Sequence, residues 1–322
     1  TNFTGKTADP WIWYKAYYCK PNLYYAGGPF TGISFFSEFN EGEGWFTGDA
    51  YRTGNTILPF NTHHIMHQHI SQLLFEIGEF QLTEQQKLSE IKVIEKSQNQ
   101  LVSYVDIESE KRLVKGLLEL TPTAGFLGEE GTSTLQNKDL YWIIDPIDGT
   151  TNFLFGHSKF CISIALYANA KPVYGAVYVP AEKELFHADS SGAFLNGTPI
   201  RVAQRSHLSE SLMATGFPYY NFKGLNGYIE VLKTLMQSTQ GLRRMGSAAI
   251  DLVYTAAGRF DGFFELNLQP WDVAGGAYIV QQAGGVVTDF SGEDDFVFGT
   301  SIIAANENIH QLLSEIIAKQ EF

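Results

Sequence analysis

Apolar positions repeat with different periods in different parts of this chain, and each period predicts an element. Ile70, Leu73, Leu74 and Ile77 fall three and four apart, which predicts an amphipathic helix. Ile91 with Val93, and Leu101 with Val102, predict two strands joined around Ser97-Gln98-Asn99. Asp106 then reads as a helix N-cap, with Ser109-Glu110 in the first turn and Leu113, Val114 and Leu117 on the buried face. Between 140 and 200 the pattern is mostly that of strands: Phe160–Tyr167, Val173–Val179 and Glu184–Ala188, with turns at Asn169-Ala170 and Asn196-Gly197. Helices are predicted over 222–237, 246–257, 272–283 and 305–318, with strands Arg259–Leu266 and Val286–Asp289 between them. The mixture predicts an α+β fold of packed layers.

Residues 1–60 keep no period. They are crowded with aromatics (Trp11, Trp13, Tyr14, Tyr17, Tyr18) and with Gly, and read as an extension without assigned function rather than an aromatic ligand-binding appendage. His63, His64, His67 and His69 follow. No carboxylate or Cys completes a zinc site there, so a polar helix start is the simpler reading.

Composition narrows the class. The chain has 322 residues, 44% apolar and 18% charged, which suits a globular protein with a sizeable core. A net charge of −13 argues against direct nucleic-acid binding and against an anionic membrane surface. No apolar run is long enough to span a bilayer, and no signal peptide is visible. With only Cys19 and Cys161, a reducing cytoplasm is the expected setting, and Cys161 reads as a buried structural thiol.

Chemistry concentrates in three acidic clusters, each at the end of an element. The sharpest is Trp142-Ile143-Ile144-Asp145-Pro146-Ile147-Asp148-Gly149-Thr150-Thr151-Asn152-Phe153. An apolar strand delivers Asp145 and Asp148, Pro146 is expected to end it, and Thr150 or Thr151 is expected at a helix N-cap. Two acids beside an anion-attracting helix start conflict unless a cation lies between them. The second cluster is Gly128-Glu129-Glu130-Gly131, and the third is Asp272, in the first turn or at the N-cap of a helix. Singly, each is most simply a turn or a cap. Together they suit a shared oxygen-ligand site for hard cations.

Gly128-Glu129-Glu130, then the run from Asp145 to Phe153, then Trp271-Asp272-Val273-Ala274-Gly275 followed by Ala283-Gly284-Gly285, resemble in this order the inositol monophosphatase family of Mg²⁺-dependent, lithium-sensitive sugar phosphatases. The resemblance runs from about Ile65 to the C-terminus. It implies a layered α-β-α-β-α sandwich like that of fructose-1,6-bisphosphatase. It implies a catalytic domain over 62–322, with lobes of about 62–205 and 206–322, preceded by an unassigned extension over 1–61. By the same resemblance, Glu129, Asp145 and the Ile147 carbonyl would hold one Mg²⁺, and Asp145, Asp148 and Asp272 a second. Thr150, hydrogen-bonded to Asp106, would position the attacking water, and the N–H groups of Gly149 and Thr150 would cradle phosphate. Gly246, Ser247, Ala248 and Glu265, with Asp148 and Asp272, would face the polyol, and Lys96 would stand near the entrance. The implied substrate is inositol 1-phosphate or a similar phosphate ester, and the implied assembly a homodimer. Sister activities are fructose-1,6-bisphosphatase and bisphosphate nucleotidase, although Thr151-Asn152-Phe153 favours the inositol branch. Some bacterial relatives act in transcription complexes, so a protein-binding role is a further reading. Val105, Phe155 and Lys159 depart from the family pattern, where Thr, His and Pro are frequent. None of the three is an expected metal ligand.

Overall fold

A computed structural model describes the backbone of residues 50–53, 56–87, 93–97, 100–134, 139–218 and 221–322, and the side chains of 65–87, 103–134, 139–218 and 221–322. The aromatic-rich residues 1–49 lie outside the described residues, as do the side chains of His63, His64 and Lys96. The chain divides into two compact units, Thr1–Gln68 and His69–Phe322. In the first, strands β1 (Ala50–Thr53) and β2 (Thr56–Pro59) form an antiparallel pair, and helix α1 (Phe60–Gln85) begins. The histidine cluster falls in this helix, as the polar-start reading expects.

In the second unit the hairpin expected around Ser97 is present as β3 (Val93–Ser97) and β4 (Gln100–Ser103). Helix α2 (Tyr104–Leu120) follows directly. Its N-cap is Ser103 rather than Asp106. The Ser103 side chain accepts from Val105 N–H, while Asp106, at the third helical position, accepts from the Ser103 N–H, which makes a capping box. Ser109 and Glu110 therefore lie in the second turn, buried, with Leu113 and Leu117. Val114 is half-buried.

A seven-stranded sheet comes next: β5 (Gly125–Gly128), β6 (Leu140–Asp148), β7 (Cys161–Ala168), β8 (Lys171–Val179), β9 (Glu184–Asp189), β10 (Gly192–Leu195) and β11 (Thr198–Pro199). Its spatial order is β11-β10-β9-β8-β7-β6-β5, and only the β5–β6 pair is parallel. Pro146 does not end β6. The register against β7 shifts between Asp145 and Asp148, so the proline sits in a bulge, where its missing N–H costs no ladder bond. A short helix, α3 (Thr150–Leu154), leaves the end of β6.

A five-stranded sheet holds β12 (Leu212–Thr215), β13 (Gly241–Arg243), β14 (Gly262–Leu266), β15 (Val286–Thr288) and β16 (Ser301–Ala305), in the order β13-β12-β14-β16-β15. Between these strands run α4 (Leu225–Ser238), α5 (Ala248–Ala256) and α6 (Pro270–Gln282), and α7 (Glu307–Ile317) closes the chain. Strands β1, β2, β10, β11, β12, β13 and β16 were not among the sequence expectations, and β14 starts three residues later than expected, at Gly262.

Three helical layers enclose the two sheets. Helix α2 packs on β6, and α1 meets β8 through Phe75 and Gly78 against Tyr178. Helices α5 and α6 pack on each other between the sheets: α6 lies on β6, β7 and β8, and α5 on β14 and β16. Helices α4 and α7 cover the far face with Tyr228, Val231, Leu235, Ile309, Leu313 and Ile317. The α-β-α-β-α order is the α+β sandwich expected. Among the described residues no helix is long and apolar enough to cross a membrane.

Candidate functional site

The layers bring the three acidic clusters to one cavity of about 290 Å³. Its lining includes Glu129 after β5, Asp148 at the end of β6, Asp272 at the start of α6 and Glu265 on β14. One oxygen from each of Asp145, Asp148 and Asp272 lies within 4.8 Å of the others. Local structure explains how each is held. Asp145 and Asp148 flank the bulge, and Asp145 Oδ1 accepts from Ile147 N–H at 2.9 Å. Helix α6 starts at Pro270 with N-cap Gln269, and Asp272 Oδ2 accepts the Gln269 N–H at 2.8 Å. Asp272 is thus a first-turn acid that lines the cavity. Asp148 Oδ2 takes both the Ser247 hydroxyl and the Ala249 N–H at 2.7 Å, which ties the end of β6 to the start of α5.

Crowding shows in the protonation of these groups. Burial pushes Asp145 well above the usual carboxylate range, and Glu129, Asp148 and Asp272 push it further. Asp272 is raised in the same way by burial and then by Asp148 and Glu129. Burial raises Asp148 to about 6, with the Ser247 and Ala249 bonds and Arg244 opposing. Glu265 rises to about 8 through burial and Asp148. Buried acids that repel one another at this distance form a donor set of the kind that hard divalent cations take.

Thr150 opens α3, but Gly149 is its N-cap, so neither threonine caps the helix. Gly149 has φ of 96°, and a Cβ there would sit 2.9 Å from the Lys159 carbonyl, so a side chain is excluded on both counts. The Thr150 hydroxyl lies 3.1 Å from both Asp106 Oδ1 and the Ile147 carbonyl. The expected Thr150–Asp106 pair is therefore formed. Burial raises the Asp106 carboxyl, against bonds from Ser103 and Thr150. Behind the pair, Val105 packs with Ile147, Phe153 and Phe160, so the Val that departs from the pattern adds apolar contact beneath the bulge.

Gly246, Ser247 and Ala248 line the cavity with Glu265, as the wall reading expects. Ser247 is the N-cap of α5, and Asn152 Nδ2 donates to the Lys159 carbonyl at 2.6 Å and the Met245 carbonyl at 2.8 Å, locking α3 to this turn. The Lys159 ammonium pairs with Glu182 and reaches the Tyr254 hydroxyl, while Phe155 is 73% exposed. Neither enters the cavity lining.

Several supporting residues escaped the sequence reading. Gln81 on α1 donates to the Pro146 carbonyl at 2.8 Å and to Ser109 Oγ at 3.1 Å, and Gln85 donates to the Phe153 and His157 carbonyls. Arg244 and Asp251 line the cavity. Glu110 sits beneath the Glu129 turn. Only the triplet Ser103-x-x-Asp106 carried a local signal, the spelling of a capping box.

A model of the inositol monophosphatase family matches residues 65–321. A putative Nus factor SuhB of Neisseria meningitidis serogroup B is 42% identical over 243 residues, covering 75% of this chain and 93% of its own. An inositol-1-monophosphatase of Rhizobium meliloti is 39% identical over 250 residues, covering 77% and 94%. The crystal structure of the extragenic suppressor protein suhB from Bartonella henselae superposes with a TM-score of 0.76 at 38% identity, covering 79% of this chain and 99% of that one. The motifs that the cavity brings together lie inside these matches, and the chain belongs to the inositol monophosphatase family.

Proposed function

We propose that the chain is a Mg²⁺-dependent phosphomonoesterase acting on inositol 1-phosphate or a similar polyol phosphate. The observation that carries this reading is the meeting of Asp145, Asp148 and Asp272 within 4.8 Å. Glu129, Asp145 and the Ile147 carbonyl would hold one Mg²⁺, and Asp145, Asp148 and Asp272 another. Bound there, the cations supply Lewis-acid activation of water and neutralise charge on the phosphoryl group.

The protein's own groups do the rest. Thr150 accepts or donates at the water's position, and Asp106 fixes the rotamer of its hydroxyl. The N–H groups of Gly149 and Thr150, at the turn that Asn152 locks, meet the phosphate oxygens. Glu265 and the turn from Gly246 to Ala248 orient the polyol hydroxyls. Asp148 faces both ends: one oxygen is fixed by Ser247 and Ala249, and the other remains for a cation or a hydroxyl.

Inhibition by Li⁺, a homodimeric state and a cytoplasmic setting belong to the same reading; the buried free thiol of Cys161 suits a reducing compartment. A second reading, participation in transcription complexes, is supported by the Nus-factor name of the meningococcal relative. The test is a panel of inositol 1-phosphate, fructose 1,6-bisphosphate and a nucleoside 3′,5′-bisphosphate, each with Mg²⁺ and with excess EDTA. Phosphate release from inositol 1-phosphate that stops on chelation is expected. A rate unchanged by EDTA would contradict the proposal.

A further inference from the structure

Helix α2 carries two buried acids four residues apart, Asp106 and Glu110, which places both on one face. Asp106 reaches Thr150. Glu110 reaches in a different direction and touches nothing in the cavity lining by itself. Its side chain is 3% exposed, and its two oxygens are filled by one short turn. Oε2 accepts the Glu130 N–H at 2.8 Å, while Oε1 accepts the Thr132 N–H at 3.1 Å and the Thr132 hydroxyl at 2.7 Å. The same turn is closed on itself by Gly128 N–H to the Thr132 carbonyl at 2.7 Å. Gly128 leaves room for the carboxylate, since a Cβ there would lie 2.4 Å from Glu110 Oε2.

Glu129 lies inside this turn, directly before Glu130, the first residue that Glu110 holds. It lines the cavity and acts electrostatically on both Asp145 and Asp272. A loop glutamate that faces other acids is pushed by them, and Glu110 adds to the backbone bonds that close this loop, Gly128 N–H to the Thr132 carbonyl and Thr134 N–H to the Phe126 carbonyl. The peptide N–H that follows Glu129 is pinned to a buried carboxylate rooted in a seventeen-residue helix.

We infer that Glu110 is a positioning residue for the Glu129 carboxylate, and that it sets the cation affinity of the site without touching cation or substrate. The inference rests on the proposal that Glu129 is a metal ligand. Substitution Glu110→Gln keeps the shape and one acceptor, but its amide N–H₂ confronts an N–H of the turn, donor against donor. Groups that orient a ligand in this way change metal affinity by about 10- to 100-fold when replaced.

Calorimetric titration of Mg²⁺ alone into the full chain tests this, with Lys111→Gln on the exposed face of the same helix as control. Glu110→Gln is expected to bind Mg²⁺ at least about tenfold more weakly. Its kcat is expected to recover when Mg²⁺ is raised, and its metal-free melting curve to stay cooperative. Mg²⁺ affinity equal to wild type in a folded Glu110→Gln would overturn the inference. If that variant does not fold, Thr132→Val decides. It removes one of three donors and is expected to weaken Mg²⁺ binding severalfold, and an unchanged affinity would overturn the inference. Absence of Mg²⁺ binding by the wild-type protein would overturn the metal reading itself, a result distinct from either.

Discussion

Two groups of buried acids lie within one site and behave differently. On α2, Asp106 and Glu110 have their oxygens filled by protein donors: Ser103 twice and Thr150 for the one, Glu130 and Thr132 for the other. On the cavity floor, Asp145 takes the Ile147 N–H and shares a hydrogen bond with Glu129, and Asp272 takes the Gln269 N–H. Each also faces other carboxylates. The α2 acids are compensated by the fold alone, and they hold other residues in place. Asp145 and Asp272 receive less of that compensation, so their burial makes sense when a cation supplies the rest. Residue type and burial are similar in the two groups; the supply of donors separates them.

The largest effect that sharpens this contrast is at the floor. Asp145→Asn should lower kcat on the order of 10³-fold, the scale of lost electrostatic stabilisation at a reacting centre. It should also raise the metal-free melting temperature, because one member of a repelling set is gone. A variant that is both active and less stable would break the comparison. Asp106→Asn should have a smaller effect, roughly 10²-fold in kcat, with Mg²⁺ affinity by calorimetry near wild type. The Asn oxygen can still receive the Ser103 bonds, but its N–H₂ then faces Thr150, whose hydroxyl is left with the Ile147 carbonyl alone as acceptor. Weakened Mg²⁺ binding in this variant would place Asp106 with the floor acids instead.

The floor was legible in the sequence because its acids sit at element ends beside Gly and Pro, signals confined to a few adjacent residues. The support was less legible. Glu110 looks like any helix acid until the turn twenty residues later folds onto it. Gln81 meets the Pro146 carbonyl across 65 residues, a contact that no local pattern announces. Pro146 was misread as a stop because a proline in a strand normally breaks pairing, whereas here a bulge absorbs it. The misplaced caps at Asp106 and Thr150 share one cause: an acid or hydroxyl near a helix start suits several neighbouring positions, and the side-chain bond made decides among them. Packed α and β layers followed from the mixture of element types, and their α-β-α-β-α order from the family resemblance. Strands β12, β13 and β16 were missed because three to five residues carry too little period to be seen.

The most direct test of the floor's role is the number of protons released when Mg²⁺ binds. Asp145 and Asp272 stand well above the usual carboxylate range and Asp148 at about 6, so the metal-free floor holds protons at pH values where free carboxylates have lost theirs. For acids raised in this way the folded state holds protons that the unfolded state has lost. Stability without metal therefore falls as pH rises from the ordinary carboxylate range through the raised values. Cations must displace those protons. Mg²⁺ titration at pH 6.5 and pH 8, in buffers of different ionisation enthalpy, counts them. The account predicts net proton release that is larger at pH 6.5 and reduced in Asp145→Asn. Mg²⁺ binding with no proton release at either pH, and unchanged in that variant, would contradict it.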